Sequence, residues 1–271
     1  MTITTRDELI NALANNSSRI VVDKASVGST AAGQFFSLWI ATGAPGTGSA
    51  PTSAVVPTNT TAGAVFFTNQ TAPATSYLAW FAVTMAVGTQ SLEIHDRLAH
   101  MGGLSGTVTT AQGALSLVTT DPGADRIGDA NYSDVQWWLE WYASTGGGAV
   151  NATVAVTYDD NSTGNLAVIA LAATMRTSRL VPLISAVAGR FIKAVNSVTL
   201  SATTGTAGNF GITATRQRSI VASYVANKGE NYDWAQLGLP EIPNNSCLMF
   251  IVNCASTTSG SIRAQGKIAH G

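Results

Sequence analysis

Glu93-Ile94-His95-Asp96-Arg97-Leu98-Ala99-His100 brings two imidazoles and two carboxylates close together, the side chains that hold a metal or trade protons. On a strand, however, His95 and His100 are five residues apart and project to opposite faces. The expectation is local: Asp96 pairs with Arg97, and both histidines make ordinary polar contacts. Two acidic loops carry oxygen ligands. Asp159-Asp160-Asn161-Ser162-Thr163-Gly164 matches the first half of an EF-hand calcium loop, but Ala170 stands where the bidentate glutamate belongs, so a Gly-terminated hairpin turn explains it better. The run Asp121 to Asp134 holds Asp121, Asp125, Asp129 and Asp134 and could serve as a calcium loop or as the carboxylate pair of a glycoside hydrolase. A solvated loop between strands is the simpler reading.

Other catalytic signatures are missing from the sequence. There is no Gly-x-x-x-x-Gly-Lys phosphate loop and no Gly-x-Ser-x-Gly nucleophile elbow. Gly43, Gly46 and Gly48 have the wrong spacing for a dinucleotide fingerprint. Cys247 and Cys254 flank what reads as one strand, which would hold them about 23 Å apart, beyond disulfide reach. They are expected as small buried hydrophobes. Sequons are numerous, some of them beginning at Asn59, Asn69, Asn131, Asn151 and Asn161, and follow from composition. No cofactor, metal or catalytic residue is assigned.

The elements that must position these side chains are strands. Thr5-Arg6-Asp7-Glu8 is a capping box that opens a short helix with Leu9, Ile10 and Leu13 on one stripe, which reads as a terminal arm over Thr5 to Asn15. Gln34 to Ala41 is an aromatic-rich strand. Thr42 to Gly63, with Pro45, Pro51 and Pro57, is a long irregular stretch that cannot be helix or central strand. Tyr77 to Val87 is apolar on both faces, as in a central strand, and Leu92 to Ile94 follows. Val135 to Tyr142 alternates: Val135, Leu139 and the indoles of Trp137 and Trp141 lie on one face, opposed by Gln136, Trp138, Glu140 and Tyr142. Val150 to Tyr158, Leu166 to Leu171, Val198 to Leu200, Phe210 to Ala214, Ile220 to Val225, Leu248 to Val252 and Ser261 to Ile268 complete about ten strands.

Composition narrows the class. In 271 residues, charged side chains make up 11%, where an ordinary domain carries about 25%. Hydrophobic residues make up 45%, enough for a sizeable core and too many for disorder. The net charge of -1 gives no drive towards nucleic acid, and no apolar run reaches the ~18 residues of a membrane span. Met1 to Ala14 has acids and a helix start instead of a basic segment and an apolar core, so no secretory signal is expected. A surface of Thr, Ser, Ala and Asn costs little to desolvate, as suits a face that meets other subunits. Charge is also segregated. From Asp121 to Asp160 there are seven acids against Arg126 alone, and from Leu171 to Gly229 seven bases and no acid.

A resemblance adds to this. Gln34-Phe35-Phe36-Ser37-Leu38-Trp39-Ile40-Ala41-Thr42-Gly43-Ala44-Pro45-Gly46 resembles a recurring stretch in virion structural proteins of tailed bacteriophages. Glu93-Ile94-His95-Asp96-Arg97-Leu98 followed by Gly102-Gly103-Leu104 is similar to another part of the same group. The motifs are structural, not catalytic. The resemblance implies a particle component, with head decoration, minor head protein and tail component all open, and is greatest to a capsid cement protein that bridges neighbouring subunits.

The expectation is therefore an all-β chain with a short N-terminal helical arm. It would be a β-sandwich of jelly-roll or immunoglobulin-like kind, or two such sandwiches. Its regions would be 1–33, the helix and arm; 34–120, a first β region containing the loop 42–63; and 121–271, a second β region. The function expected is non-enzymatic binding and stabilisation of a bacteriophage capsid. The alternatives are a tail or receptor-binding protein that recognises carbohydrate and a tail-associated glycoside hydrolase. Partners would be the major capsid protein or other virion proteins, with self-association and with neither membrane nor nucleic acid. The chain would be made in the host cytoplasm and lodge on the capsid surface. Interface residues would be Trp138 and Tyr142, on the strand face that also carries Gln136 and Glu140, and Arg216 and Arg218, through which the basic segment would meet acids across a subunit boundary. The helix and the loop 42–63 would become ordered on a partner.

Overall fold

A computed structural model describes residues 2–117 and 121–271; the boundary expected at 120/121 touches residues outside that range. The fold is all-β and antiparallel, with a short N-terminal helix and, among the described residues, one further helical turn at Ala124–Ile127. The chain gathers into two compact units, neither continuous in sequence. The first comprises Met1–Ser49, Pro57–Asp96 and Gln217–Gly271, and the second Ala50–Val56 and Arg97–Arg216.

In the first unit a five-stranded sheet runs in the order Gly229–Asp233, Ser76–Met85, Ile262–His270, Ser17–Lys24, Gly43–Ala44. Its inner residues alternate along each strand, as the two-residue period of a strand requires: Ile20 and Val22, Phe81 and Val83, Ile262 and Ala264. They pack on Phe36, Leu92, Ile94, Phe250 and Val252, and the rings of Phe81 and Phe250 lie 6.2 Å apart. Ser76–Met85 is central, as its apolar composition implied, because it pairs on both sides. Cys247 and Cys254 are buried and not disulfide-bonded.

The helix spans Arg6–Asn15 with the capping box complete: the Thr5 hydroxyl accepts from the Glu8 amide at 3.2 Å and Glu8 Oε2 accepts from the Thr5 amide at 2.8 Å. Hydrogen bonds from the Thr4 amide and hydroxyl, then those from Thr5, hold the exposed Glu8 carboxyl down at about 2. Waiting for a partner is not this helix's role. Leu9 and Ala12 are buried against Ala79 and Ala269, and Lys267 Nζ donates to the Leu13 carbonyl at 2.8 Å. The stretch 42–63 is likewise held by its own chain. In the first unit Gly43–Ala44 pairs with Asp23–Lys24 and the buried Trp39 donates from Nε1 to the Ser49 carbonyl at 2.8 Å. In the second, Val55 and His100 exchange backbone hydrogen bonds of 3.0 Å.

The second unit has a sheet ordered Ile169–Leu171, Val150–Tyr158, Ile192–Leu200, Leu115–Ser116, with Thr163–Asn165 also on Val150–Tyr158. Val154, Val156 and Val198 from this sheet share a core with Trp137, Leu139, Trp141, Phe210 and Ile212. Val135–Ala143 pairs on one side with Arg179–Leu183 and on the other with Asn209–Arg216 of a longer strand, Asn209–Ser223. That strand joins what the sequence suggested were two. Gln90–Leu104 runs 15 residues where a three-residue strand was expected.

Candidate functional site

The long strand Gln90–Leu104 is covered on both faces along nearly its whole length, which places its ionisable residues inside the protein. His95, Asp96, Arg97 and His100 are each at most 1% exposed. Adjacent residues of a strand point to opposite faces, so the expected Asp96–Arg97 pair does not form. In the first unit, Asp96 accepts from Arg218 Nη2 at 3.1 Å and from the Cys247 amide at 2.8 Å. His95 Nε2 contacts Glu93 Oε2 at 2.8 Å.

In the second unit Arg97, His100, Glu140, Tyr142 and Thr213 form a buried polar cluster. Arg97 Nη2 donates to Glu140 Oε1 at 2.8 Å. Glu140 Oε2 accepts from the Thr213 hydroxyl and, at 3.2 Å, from the Tyr142 hydroxyl. Arg97 Nη1 lies 2.7 Å from His100 Nδ1, and the Tyr142 oxygen 2.9 Å from the same nitrogen. A guanidinium has no acceptor, so Nδ1 carries the lone pair and the ring proton sits on Nε2. Burial, then the Arg97 charge, hold the imidazole neutral down to about 2. Burial, then Glu140, push the Tyr142 hydroxyl above its ordinary value. A cation and an anion meet here with both carboxylate oxygens occupied, which is what a buried ion pair needs in order to persist. The arrangement fixes three strands to one another.

This cluster predicts acid lability. The unfolded chain takes a proton on His100 near the usual 6.5, whereas the folded chain refuses it until about 2. The unfolded state therefore binds more protons in that window, and stability is lost as pH falls through it. Urea midpoints measured between pH 4 and 6.5 are expected to fall less steeply in His100→Gln than in the parent chain. Parallel slopes would show that His100 is not the group concerned.

The face carrying Trp138 and Tyr142, expected to be wet, is buried: Trp138 is 4% exposed and Tyr142 8%. The polar residues that made it look solvated are partners in an internal layer. Trp138 Nε1 donates to Thr215 Oγ1 at 2.9 Å, and Trp138 sits opposite Pro182 on one side and Thr213 on the other. Neither aromatic is a surface anchor. Trp138→Phe removes that donor in a closed site and is expected to cost about 1–3 kcal/mol of stability, read from denaturant midpoints. A change below ~0.5 kcal/mol, the range of surface substitutions, would place Trp138 outside the core.

Arg216 and Arg218 also find partners inside the chain. Arg216 Nη2 pairs with Asp134 Oδ2 at 2.8 Å and its Nη1 donates to the Asp125 carbonyl at 3.1 Å, while Arg218 pairs with Asp96. Arg190 meets Asp160 at 2.9 Å and Asp159 at 3.6 Å. The acidic and basic segments were expected to meet across a subunit boundary, and they pair within one chain. Folding brings them together because the strands that carry them are neighbours. Asp160 Oδ1 accepts from the Ser162 amide at 2.9 Å, closing the hairpin turn the sequence implied, and Asp129 Oδ2 accepts from the Ser133 hydroxyl at 3.1 Å. Among the described residues no three His, Cys, Asp or Glu side chains are gathered as a metal-binding group.

What the sequence reading missed lies elsewhere in the first unit. A pocket of about 470 Å³ is lined by Gln90, Ser91, Tyr224, Asn253 and residues next to them, none of them charged. An exposed tyrosine just beyond a strand was the available signal.

No family model and no curated protein matches the sequence. Among solved structures, the chain is similar to one from the infectious bursal disease virus Gt strain, with 9% identity over 96% of this chain and 86% of that one, at a TM-score of 0.19. It is also similar to the VP2 subviral particle of infectious bursal disease virus, with 9% identity over 94% of this chain and 79% of that one, at 0.15. Likeness of that degree says nothing about what this chain does.

Proposed function

We propose that this chain is a non-enzymatic virion structural protein that binds and stabilises a bacteriophage capsid, with the major capsid protein as its partner. The observation that carries the reading is the surface. Only 11% of the residues are charged, and several of those charges are spent on internal pairs such as Arg97 with Glu140 and Arg218 with Asp96. Large apolar side chains stand in solvent instead: Ile184 at 73%, Val168 at 63% and Val187 at 46% in the second unit, and Phe66 at 65% in the first. A free monomer with so little surface charge has weak protection against association. A subunit of a symmetric shell has use for such a surface, because many weak contacts repeated around a particle hold a layer without a tight single site. The resemblance of Gln34–Gly46 and Glu93–Leu98 to tailed-phage virion proteins supports a place in the particle and leaves the station within it open.

Co-sedimentation of the purified protein with capsids that lack it tests the reading. Saturable occupancy at a fixed number of copies per shell is expected. Ile184→Asp combined with Val187→Asp should lower occupancy without lowering the melting temperature. Binding that never saturates, or none, would defeat the proposal.

A further inference from the structure

The outer face of the five-stranded sheet in the first unit carries a second hollow, also of about 470 Å³, lined by four of its strands. Register builds it. Residues directly opposite in an antiparallel pair share a face, so Asn231, Ala82, Gln265 and Val21 form one row across the sheet. Val21 is 43% exposed, which makes this the outer face. Trp80 lies in the row on one side, and Thr84, Arg263 and Asp23 in the row on the other. Neighbours stand about 5 Å apart across strands and about 7 Å along them. The floor at their centre is the methyl of Ala82, and one small residue ringed by longer ones leaves a depression in an otherwise flat face.

A β-bulge turns Trp80 into this hollow. Leu78 faces the core at 0% exposure, and strict alternation would send Trp80 the same way. The pairing of Ser76–Met85 with Ile262–His270 slips between Lys267 and Ile268, so Ala79 is an extra residue. Trp80 then faces outwards, half-buried, and Phe81 returns to the core. Bulges that re-aim a side chain in this way are over-represented next to functional sites. The helix Arg6–Asn15 covers the neighbouring part of the same face through Ala79 and Ala269, and Lys267, opposite Trp80, is tied to it at the Leu13 carbonyl.

The groups around the floor define a ligand. The indole supplies a flat apolar face and an N–H donor. Asn231 and Gln265, exposed on either side of Ala82, are carboxamides that both donate and accept. No hydrogen bond among the described residues engages either carboxamide or the indole nitrogen. The charges at the rim cancel, since Asp23 Oδ1 accepts from Arg263 Nε at 3.2 Å. An apolar strip with amides on both sides suits a ring that has C–H bonds on its face and hydroxyls on its edge, because a hydroxyl also donates and accepts. An extended peptide would find no strand edge at this floor, as Ser76–Met85 is paired on both sides. We propose that this hollow binds a neutral saccharide unit, its ring on the Trp80 indole and its hydroxyls shared between Asn231 and Gln265. Ile184 and Val187, through which the capsid would be held, belong to the other unit, so either proposal can fail alone.

Heteronuclear NMR of the full chain tests this through the Trp80 indole N–H resonance, identified by its loss in Trp80→Phe. The probes are methyl β-glucoside, methyl β-galactoside, methyl α-mannoside and N-acetylglucosamine oligomers. Glucuronate and glucosamine serve as charged comparators, and a blocked alanine–threonine peptide as a chain without a sugar ring. Saturable displacement of that resonance by at least one neutral probe at millimolar concentration is expected, with smaller displacement by the comparators and the peptide. Ala82→Leu raises the floor without removing a hydrogen-bonding group and should abolish the displacement. Asn231→Ala combined with Gln265→Ala should weaken binding by about tenfold or more, as the loss of two hydrogen bonds implies. All three positions face outwards, so both variants should melt with the parent chain. A Trp80 resonance that no neutral probe moves, that a charged comparator or the peptide moves further, or that moves equally in Ala82→Leu would each overturn the assignment.

Discussion

Arg97→Met is expected to lower the stability of this protein by about 3–5 kcal/mol, the usual cost of leaving one member of a buried ion pair behind. The side chain of Arg97 is wholly buried and that of Glu140 is 1% exposed, at 2.8 Å from each other. Without the guanidinium, Glu140 keeps its bonds from Thr213 and Tyr142 but loses the cation that sat 2.8 Å from its Oε1 in a site closed to water. Methionine matches the stem of arginine, so the loss measures charge and not a cavity. The pair as a whole is a different quantity. Desolvating two ions consumes most of what their attraction returns, and apolar residues of similar volume can replace such a pair at little cost. Arg97→Met combined with Glu140→Met is therefore expected to recover most of what the single variant loses. Denaturant titrations of the four proteins give the coupling directly. A double variant no more stable than Arg97→Met alone would mean that the pair contributes net stability, and that its attraction outweighs the cost of desolvating it.

The same residues show how far the sequence could be read. The capping box at Thr5, the hairpin turn after Tyr158 and the strand Val150–Tyr158 follow from local rules, because turn chemistry and a two-residue period act within a few residues. Gln90–Leu104 was shortened to three residues because Glu93, His95, Asp96, Arg97 and His100 break its apolar pattern, and a strand buried on both faces shows no alternation. Satisfying those groups takes partners at Glu140, Tyr142 and Arg218, which no window around the strand contains. Trp138 and Tyr142 failed for a related reason. Glu140 beside them suggested water, whereas Glu140 is itself buried and paired. In a chain so poor in charge, a charged residue amid apolar ones is better evidence of an internal pair than of solvent. Long-range return was the other hidden feature. Ile262–His270 comes back to pair with Ser17–Lys24, and only the pairing shows that the two ends of the chain belong to one sheet.

Gly211→Ala is expected to be the most damaging single-methyl change in the second unit, at more than about 4 kcal/mol, a size reserved for a short list of mechanisms. The position looks innocuous, since it lies in the strand Asn209–Ser223 with an ordinary negative φ and an alanine three residues on. The obstacle is another backbone. A Cβ on Gly211 would lie inside the contact distance of the Met101 carbonyl oxygen, 2.6 Å from the Met101 carbonyl carbon and 2.7 Å from the Gly102 Cα. Glycine within a strand often marks such an approach, and here the missing Cβ of Gly211 would point at the backbone of Met101 and Gly102. A side chain in the way can rotate, but Met101 and Gly102 lie in a strand buried on both faces, and moving them shifts His100, which contacts Arg97 and Tyr142. The ladder and the buried ion pair would be strained together, beyond the ~1–3 kcal/mol usual for overpacking. Gly147→Ala is the control. It lies in the same unit with open space around it, its nearest neighbour being Thr174 Oγ1 at 4.0 Å, and it should change stability by no more than about 0.5 kcal/mol. Denaturant midpoints of the two variants decide the matter. Insoluble Gly211→Ala beside soluble Gly147→Ala agrees with the argument, and a Gly211→Ala protein as stable as the control would show that the two backbones do not touch.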